Sequence, residues 1–335
     1  MSLTDRCSTE PQPDSLELRS MPPVERGEVE VPLALRHGGE ACVTLRYELV
    51  GQGSQLLLVG GGISAGRHVV ASAGFAEPGW WQAQEPSFDL DRHRLLAIDW
   101  VGSDGAIDLP IDAADQADAI AALLDHLEIA RADAFIGASY GGMVALHVAA
   151  RHPDRCGSIL VISASAAAHP FASACRSLQR RALDLGEAAG DPASGVALAR
   201  AMAMLTYRTP GEFGERFASR PRIENGRVRV SADDYLDHHG RSHAGRMSAV
   251  AYRRLSESID FHRIEPVEVG APATFAAVDS DALVPATDVE ALAAAVPGAH
   301  FHIIHSRFGH DAFLKEQAQV AALITEFVQS LESNP

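Results

Sequence analysis

The feature that most constrains this chain is a repeated alternation of short, mostly apolar runs with helical stretches. QLLLV (residues 55–59) ends in Gly60, Gly61 and Gly62, and RLLAI (94–98) precedes a helical stretch from Ala113 to Leu127. Residues 134–136 (AFI) run into a glycine-rich turn and then a helix from Tyr140 to about Arg151. SILVIS (158–163) and the runs at 274–278 and 300–304 continue the series. Continuous apolar runs this short read as strands buried on both faces. Their alternation with helices predicts an α/β fold, a mostly parallel sheet covered on both sides. Two more strands, at 28–35 and 42–50, are split by the turn residues His37, Gly38 and Gly39.

Between about Ala166 and Glu265 the alternation stops. That stretch is rich in Arg, His and Ala, is helical in character and has no buried-strand run. It reads as a helical lid inserted into the sheet domain. The expected organisation is therefore an N-terminal disordered arm over 1–26, a core from 27–165 and 266–335, and a lid over 166–265. Pro11, Pro13, Pro22 and Pro23 mark the arm.

Charge and cysteine usage narrow the function class. With 44 acidic against 28 basic residues the formal net charge is −16, which argues against nucleic acid or an anionic membrane as partner. The first 25 residues lack the apolar core of a secretory leader, and no run approaches the roughly 18 apolar residues of a membrane span. Cys7, Cys42, Cys156 and Cys175 lie far apart, as expected for reduced thiols in a cytoplasm. His238, His239 and His243 have no cysteine or clear carboxylate beside them to complete a metal site, so no metal is expected.

The chemistry concentrates at Gly137-Ala138-Ser139-Tyr140-Gly141, a G-x-S-x-G match with an apolar strand leading in and an alanine-rich helix leading out. A tight strand-to-helix turn lifts a serine hydroxyl above the sheet, and the flanking glycines let backbone pass closely. Asp281 and His310 each follow a later strand, in the order Ser, Asp, His of α/β hydrolases. Asp281 is preferred to Asp279 because it opens the D-x-x-x-P spacing ending at Pro285, leaving Asp279 to brace the turn. An oxyanion hole needs two backbone N–H groups. Tyr140, which follows the nucleophile, and Ile63, in the loop after QLLLV, are the expected donors.

These segments together resemble the homoserine O-acyltransferases related to homoserine O-acetyltransferase. The likeness runs from about Val43 onward and is carried by residues 137–155 (GASYGGMVALHVAARHPDR), SLQRRAL, LTYRTPGEFGERF, DDYLDHHG, DSDALVP and FGHDAFL, with Pro78-Gly79-Trp80-Trp81 and the D-x-D-R segment at 89–92. The resemblance implies a ping-pong transfer without a resident cofactor. Acyl-CoA would be co-substrate, acetyl-CoA favoured over succinyl-CoA, and an acyl-Ser139 would deliver to the γ-hydroxyl of L-homoserine in methionine biosynthesis. It also implies that Arg208 holds the homoserine carboxylate, that Asp311 holds its amino group, that Tyr235 lines the same pocket, and that two copies pair through the lid. Arg180 and Arg181 are either a solvated face or partners for CoA phosphates.

The chain departs from the family around the donor. Residues 100–105 are shorter than the family's loop, Gly61 replaces its histidine, and residues 246–252 (RMSAVAY) replace R-F-D-A-N-S-Y. Serine as acceptor, an esterase using water, and a non-catalytic binding protein remain alternatives at this point.

Overall fold

The computed structural model describes residues 21–332. Eight strands form one sheet: β1 (Val24–Leu35), β2 (Gly39–Gly51), β3 (Gln55–Gly60), β4 (His93–Ile98), β5 (Ala134–Ala138), β6 (Ile159–Ile162), β9 (Ala273–Val278) and β10 (His300–Ile304). Their order is β1-β2-β4-β3-β5-β6-β9-β10. The first two pairings are antiparallel and the remaining five are parallel. All five residues of β5 are buried, which is why that strand shows no polar alternation.

Val24, Glu25 and Arg26, expected in the arm, are the first residues of β1. Register explains this: Val24 pairs with Val50, and Arg26 meets the buried Glu48 carboxylate. The rest of the expected arm, residues 1–20, lies outside the described residues.

Two apolar layers sandwich the sheet. One contains Phe88 of the short α1 (Glu85–Phe88) and Val320, Ile324 and Phe327 of α11 (Gln317–Glu332). The other contains residues of α2 (Ala113–His126), α3 (Tyr140–Arg151) and α9 (Ala286–Ala295). A reciprocal cap starts α2: Asp112 accepts from the Ala114 and Asp115 N–H groups, and Asp115 accepts from Asp112 N–H at 2.8 Å. No described helix is long and apolar enough to cross a bilayer.

Between β6 and β9 the chain runs through α4 (Pro170–Ala188), α5 (Pro192–Tyr207), α6 (Pro210–Arg216), α7 (Ser231–Ala244) and α8 (Ala249–Phe261). A proline opens each of the first three, where its missing N–H costs nothing. Helices α4 and α5 approach so closely that a Cβ on Gly186 would lie 2.6 Å from Gly195 Cα. A small antiparallel pair, β7 (Arg222–Glu224) and β8 (Arg227–Arg229), interrupts the helices. Its Asn225-Gly226 turn has positive φ at both residues, the conformation favoured by two-residue hairpins. The sequence reading passed over it because five of its six strand residues are exposed and form no apolar run.

Both ends of this insertion meet at a neck. Ile264 N–H donates to Ala166 O at 2.8 Å, and Ala167 bridges Arg263. Beside the neck the buried ring of His262 touches His147 of α3 at 3.2 Å and reaches Ser165 O at 2.8 Å. Burial pushes both imidazoles down, His147 to about 3 and His262 to about 4, so the neck is closed by two neutral rings near neutral pH.

Candidate active site

Ser139 directly follows β5 as the N-cap of α3, with φ 54° and ψ −118°, a backbone conformation a non-glycine residue adopts only under constraint. The constraint is visible. Ser139 N–H donates to Ile162 O of the neighbouring strand, and Gly141 N–H donates to Gly61 O, both at 2.8 Å. A Cβ on Gly141 would sit 2.2 Å from Gly60 O, so the second glycine of the motif is fixed by the passage of the β3 loop.

The serine hydroxyl lies 2.7 Å from His310 Nε2, and His310 Nδ1 lies 2.6 Å from Asp281 Oδ2. Asp281 Oδ1 accepts the Leu283 and Val284 N–H groups at 2.8 and 3.0 Å. Those bonds fix the carboxylate against the ring, and its acceptor oxygen 2.6 Å from Nδ1 makes Nδ1 the protonated ring nitrogen, leaving Nε2 to accept the serine proton. Asp279 faces elsewhere, toward Ser306 N–H at 3.0 Å and His305 at 2.9 Å. Burial alone would push the His310 imidazole down, but the adjacent Asp281 charge and hydrogen bond outweigh it, and the net shift is upward.

Above the serine, Ile63 lines a cavity of about 240 Å³. Tyr140 is the first residue of α3, where a backbone N–H has no intrahelical acceptor. The Ile63 loop is held by two indoles: Trp100 donates to Gly62 O at 3.1 Å and Trp80 to Gly66 O at 3.0 Å. Trp100, at the start of the shortened 100–105 loop, therefore packs beneath the donor loop. The Tyr140 phenol is fully buried and shares a 2.6 Å hydrogen bond with Ser258 of α8, tying the residue after Ser139 to the lid.

The same cavity is lined by Ser139, His310, Asp311, Tyr207, Arg176 and Arg200, with the exposed Ser64 and Leu314 at its mouth. Arg208 and Tyr235 are not among its lining residues, although Arg208 lies against Asp311, which is. Arg208 follows α5 as its C-cap in extended conformation, and Thr209 starts α6. The turn carries its guanidinium onto Glu212, at 3.0 Å, and within 2.9 Å of Asp311. The Asp311 contact is off the line of a good hydrogen bond, so that pairing is mainly electrostatic. Tyr235 is instead held in an aromatic cluster with Phe213, Phe217 and His239, beneath Arg216.

Arg200 was missed by the sequence reading, although a signal existed. It is the one charged residue in the sixteen of α5, two turns before Tyr207 on the same face. Its guanidinium lies 5.2 Å from the Tyr207 ring, and it makes no hydrogen bond or ion pair with a described residue. Tyr207 in turn stacks on His310 with centroids 6.1 Å apart. Arg176 of α4 shares the single carboxylate of Asp260 with Arg180, at 2.7 and 2.8 Å, which leaves that cluster net positive. Asp311 supplies the cavity's carboxylate. Burial pushes it upward, against the opposing pull of Arg208, His310, Arg200 and Lys315.

This geometry has counterparts. The chain matches the alpha/beta hydrolase fold family over residues 56–317. It is 49% identical to a homoserine O-succinyltransferase of Xanthomonas campestris pv. campestris, over 91% of this chain and 84% of that protein. It is 32% identical to a homoserine O-acetyltransferase of Thermobifida fusca, over 92% of this chain and 94% of the other. The chain belongs to the homoserine O-acyltransferase family. The crystal structure of a homoserine O-acetyltransferase from Bacillus anthracis superposes with a TM-score of 0.82 at 16% identity, covering 91% of this chain and 97% of that one. At that identity the likeness speaks for the fold alone. As a homoserine O-acyltransferase family member the chain is an acyltransferase, and the expected family is the one found. The relatives' names divide between succinyl and acetyl, so the acyl group is a question for the cavity.

Proposed function

We propose that this chain moves a succinyl group from succinyl-CoA to the γ-hydroxyl of L-homoserine through an ester on Ser139, in the methionine pathway of the cytoplasm. The observation that carries this reading is the charge inventory of the cavity: two arginines and one carboxylate surround Ser139 and His310. A zwitterionic amino acid entering a site with little water needs one fixed cation and one fixed anion. Arg200 and Asp311 supply that pair. Arg176 is then a second cation, which an acetyl group cannot use and a succinyl carboxylate can. The Xanthomonas relative's name supports the same choice, so the acetyl preference drawn from resemblance gives way.

His310 Nε2 takes the Ser139 proton as Oγ attacks the thioester carbonyl. The Ile63 and Tyr140 N–H groups face the developing oxyanion, and the CoA sulfur leaves with the proton from His310. Homoserine then gives its hydroxyl proton to His310 and attacks the ester, and Ser139 regains a proton on release. Asp281 stabilises the imidazolium in both halves.

Intact-mass measurement after incubation with each donor tests the proposal. The expected result is a succinyl increment on the protein that disappears on adding L-homoserine. An adduct from acetyl-CoA alone would overturn the donor assignment, and CoA release independent of any amino acid would make the chain a hydrolase. Discharge by L-serine but not by homoserine would reassign the acceptor.

The reading includes a homodimer through the lid. Phe171, Leu178 and Leu185 are spaced by seven on α4 and exposed by 55, 51 and 69%, and Leu198 and Leu205 repeat that spacing on α5. Stripes of this period are what helix pairing buries. Replacing Leu178 and Leu185 with glutamate is expected to convert a dimer to a monomer by light scattering. An unchanged mass would remove α4 from the interface.

A further inference from the structure

Lys315 is the only lysine in the sequence. It closes α10 (Ala312–Lys315), directly after Phe313 and Leu314, which both line the catalytic cavity. Asp311 and Lys315 are four residues apart, a spacing that puts side chains on one helical face. Asp311 faces the cavity, and the lysine charge is felt there, among the cations that pull the Asp311 carboxyl downward. Lys315 is exposed and makes no ion pair with a described residue. It lies four residues on from Asp311, next to the exposed lining residue Leu314.

A cavity of about 240 Å³ is below the usual range for sites that enclose a drug-sized ligand. It has room for an amino acid and the acyl end of a thioester, while a nucleotide carrier must stay outside. That carrier is polyanionic, and it approaches a protein whose own formal charge is −16. An unpaired ammonium at the mouth is the group such a donor needs, because it offsets repulsion locally and offers three donors to phosphate oxygens.

We propose that Lys315 anchors the phosphates of the acyl donor's nucleotide carrier at the mouth of the cavity. This rests on the acyl-CoA reading above and extends it to a residue that takes no part in the acyl transfer. Ser64, the other exposed lining residue at the mouth, brings no charge. The contribution of the lysine weakens as salt is raised.

The test uses the full-length protein and two kinds of donor. Lys315→Ala is expected to raise the KM for succinyl-CoA about tenfold, in line with one lost charge-assisted contact. The kcat at saturation should hold, and Lys315→Arg should restore most of the loss. With succinyl-pantetheine, which carries no phosphate, Lys315→Ala and wild type should give the same kcat/KM. As the sole lysine, Lys315 can also be read chemically: trinitrobenzenesulfonate labelling followed by peptide mass spectrometry should be suppressed by desulfo-CoA and not by pantetheine. An unchanged KM for succinyl-CoA, an equal loss with the phosphate-free donor, or labelling indifferent to desulfo-CoA would each overturn the anchor. An acyl adduct on Ser139 alongside such a result would leave the catalytic reading standing. Failure of wild type both to form an adduct and to bind desulfo-CoA would remove the two together.

Discussion

Ser139→Ala is expected to lower kcat by about 10⁶-fold and to abolish the covalent adduct, with the fold intact. The size follows from how the group is held. Its hydroxyl is already within 2.7 Å of the base, and the backbone that presents it is strained at φ 54°, so no neighbouring oxygen can take its place. The partner substitution Asp281→Asn should cost about 10⁴-fold, because an amide no longer fixes the imidazole tautomer. The pH profile separates the two. His310 must be neutral to accept the serine proton, so kcat/KM rises with pH through a value above that of an ordinary histidine, since Asp281 lifts it against burial. In Asp281→Asn the lift is gone and the rising limb moves to lower pH. A limb that stays in place would mean that the profile reports another group.

The second large effect distinguishes two arginines eight residues apart. Arg200→Ala is expected to raise the KM for homoserine by roughly 10²-fold and to leave succinylation of Ser139 by the donor nearly intact. It leaves a buried substrate carboxylate unpaired, a loss of about 2–5 kcal/mol. Arg208→Ala should act mainly on stability. Its guanidinium lies against both Glu212 and Asp311, and removing it leaves two largely buried carboxylates short of a partner, at a cost of about 3–5 kcal/mol. Arg216 remains on Glu212 at 2.9 Å and softens that loss. Thermal unfolding beside steady-state kinetics decides the matter. If Arg208→Ala raises the homoserine KM with an unchanged Tm, and Arg200→Ala does not, the two roles are reversed.

The comparison of these arginines also shows what the sequence made legible. Ser139 and Asp281 could be placed because each closely follows a buried strand, and runs of mostly apolar residues are the plainest signal a chain carries. His310 follows β10, whose residues are exposed or half-buried apart from Ile304, so its placement rested on the order Ser, Asp, His. The choice of Asp281 over Asp279 rested on a spacing of four to Pro285, and the hydrogen bonds place Asp279 on the His305 turn instead. The lid was a different matter. Its helices are positioned by packing between small residues such as Gly186 and Gly195, which carry no directional signal. Arg208 was chosen from a motif, whereas its direction is decided by the Thr209 cap that starts the next helix. Arg200 was legible in principle as a lone charge in an apolar helix, but which face of α5 meets the cavity is a tertiary fact. The neighbours of Tyr235 are a tertiary fact of the same kind: a tyrosine on a lid helix packs here among Phe213 and Phe217.

The place of the lid within the chain has a consequence for how the protein is made. Ser139 leaves the ribosome about 140 residues before Asp281, with the whole lid between them, a delay on the order of ten seconds at ordinary rates of synthesis. During that interval β6 is an open edge awaiting β9, and the nucleophile has neither base nor orienting acid. The growing chain therefore carries a reactive site in three unconnected pieces. The triad is complete only when the last two strands dock, so a half-made copy carries the nucleophile without the groups that would activate it.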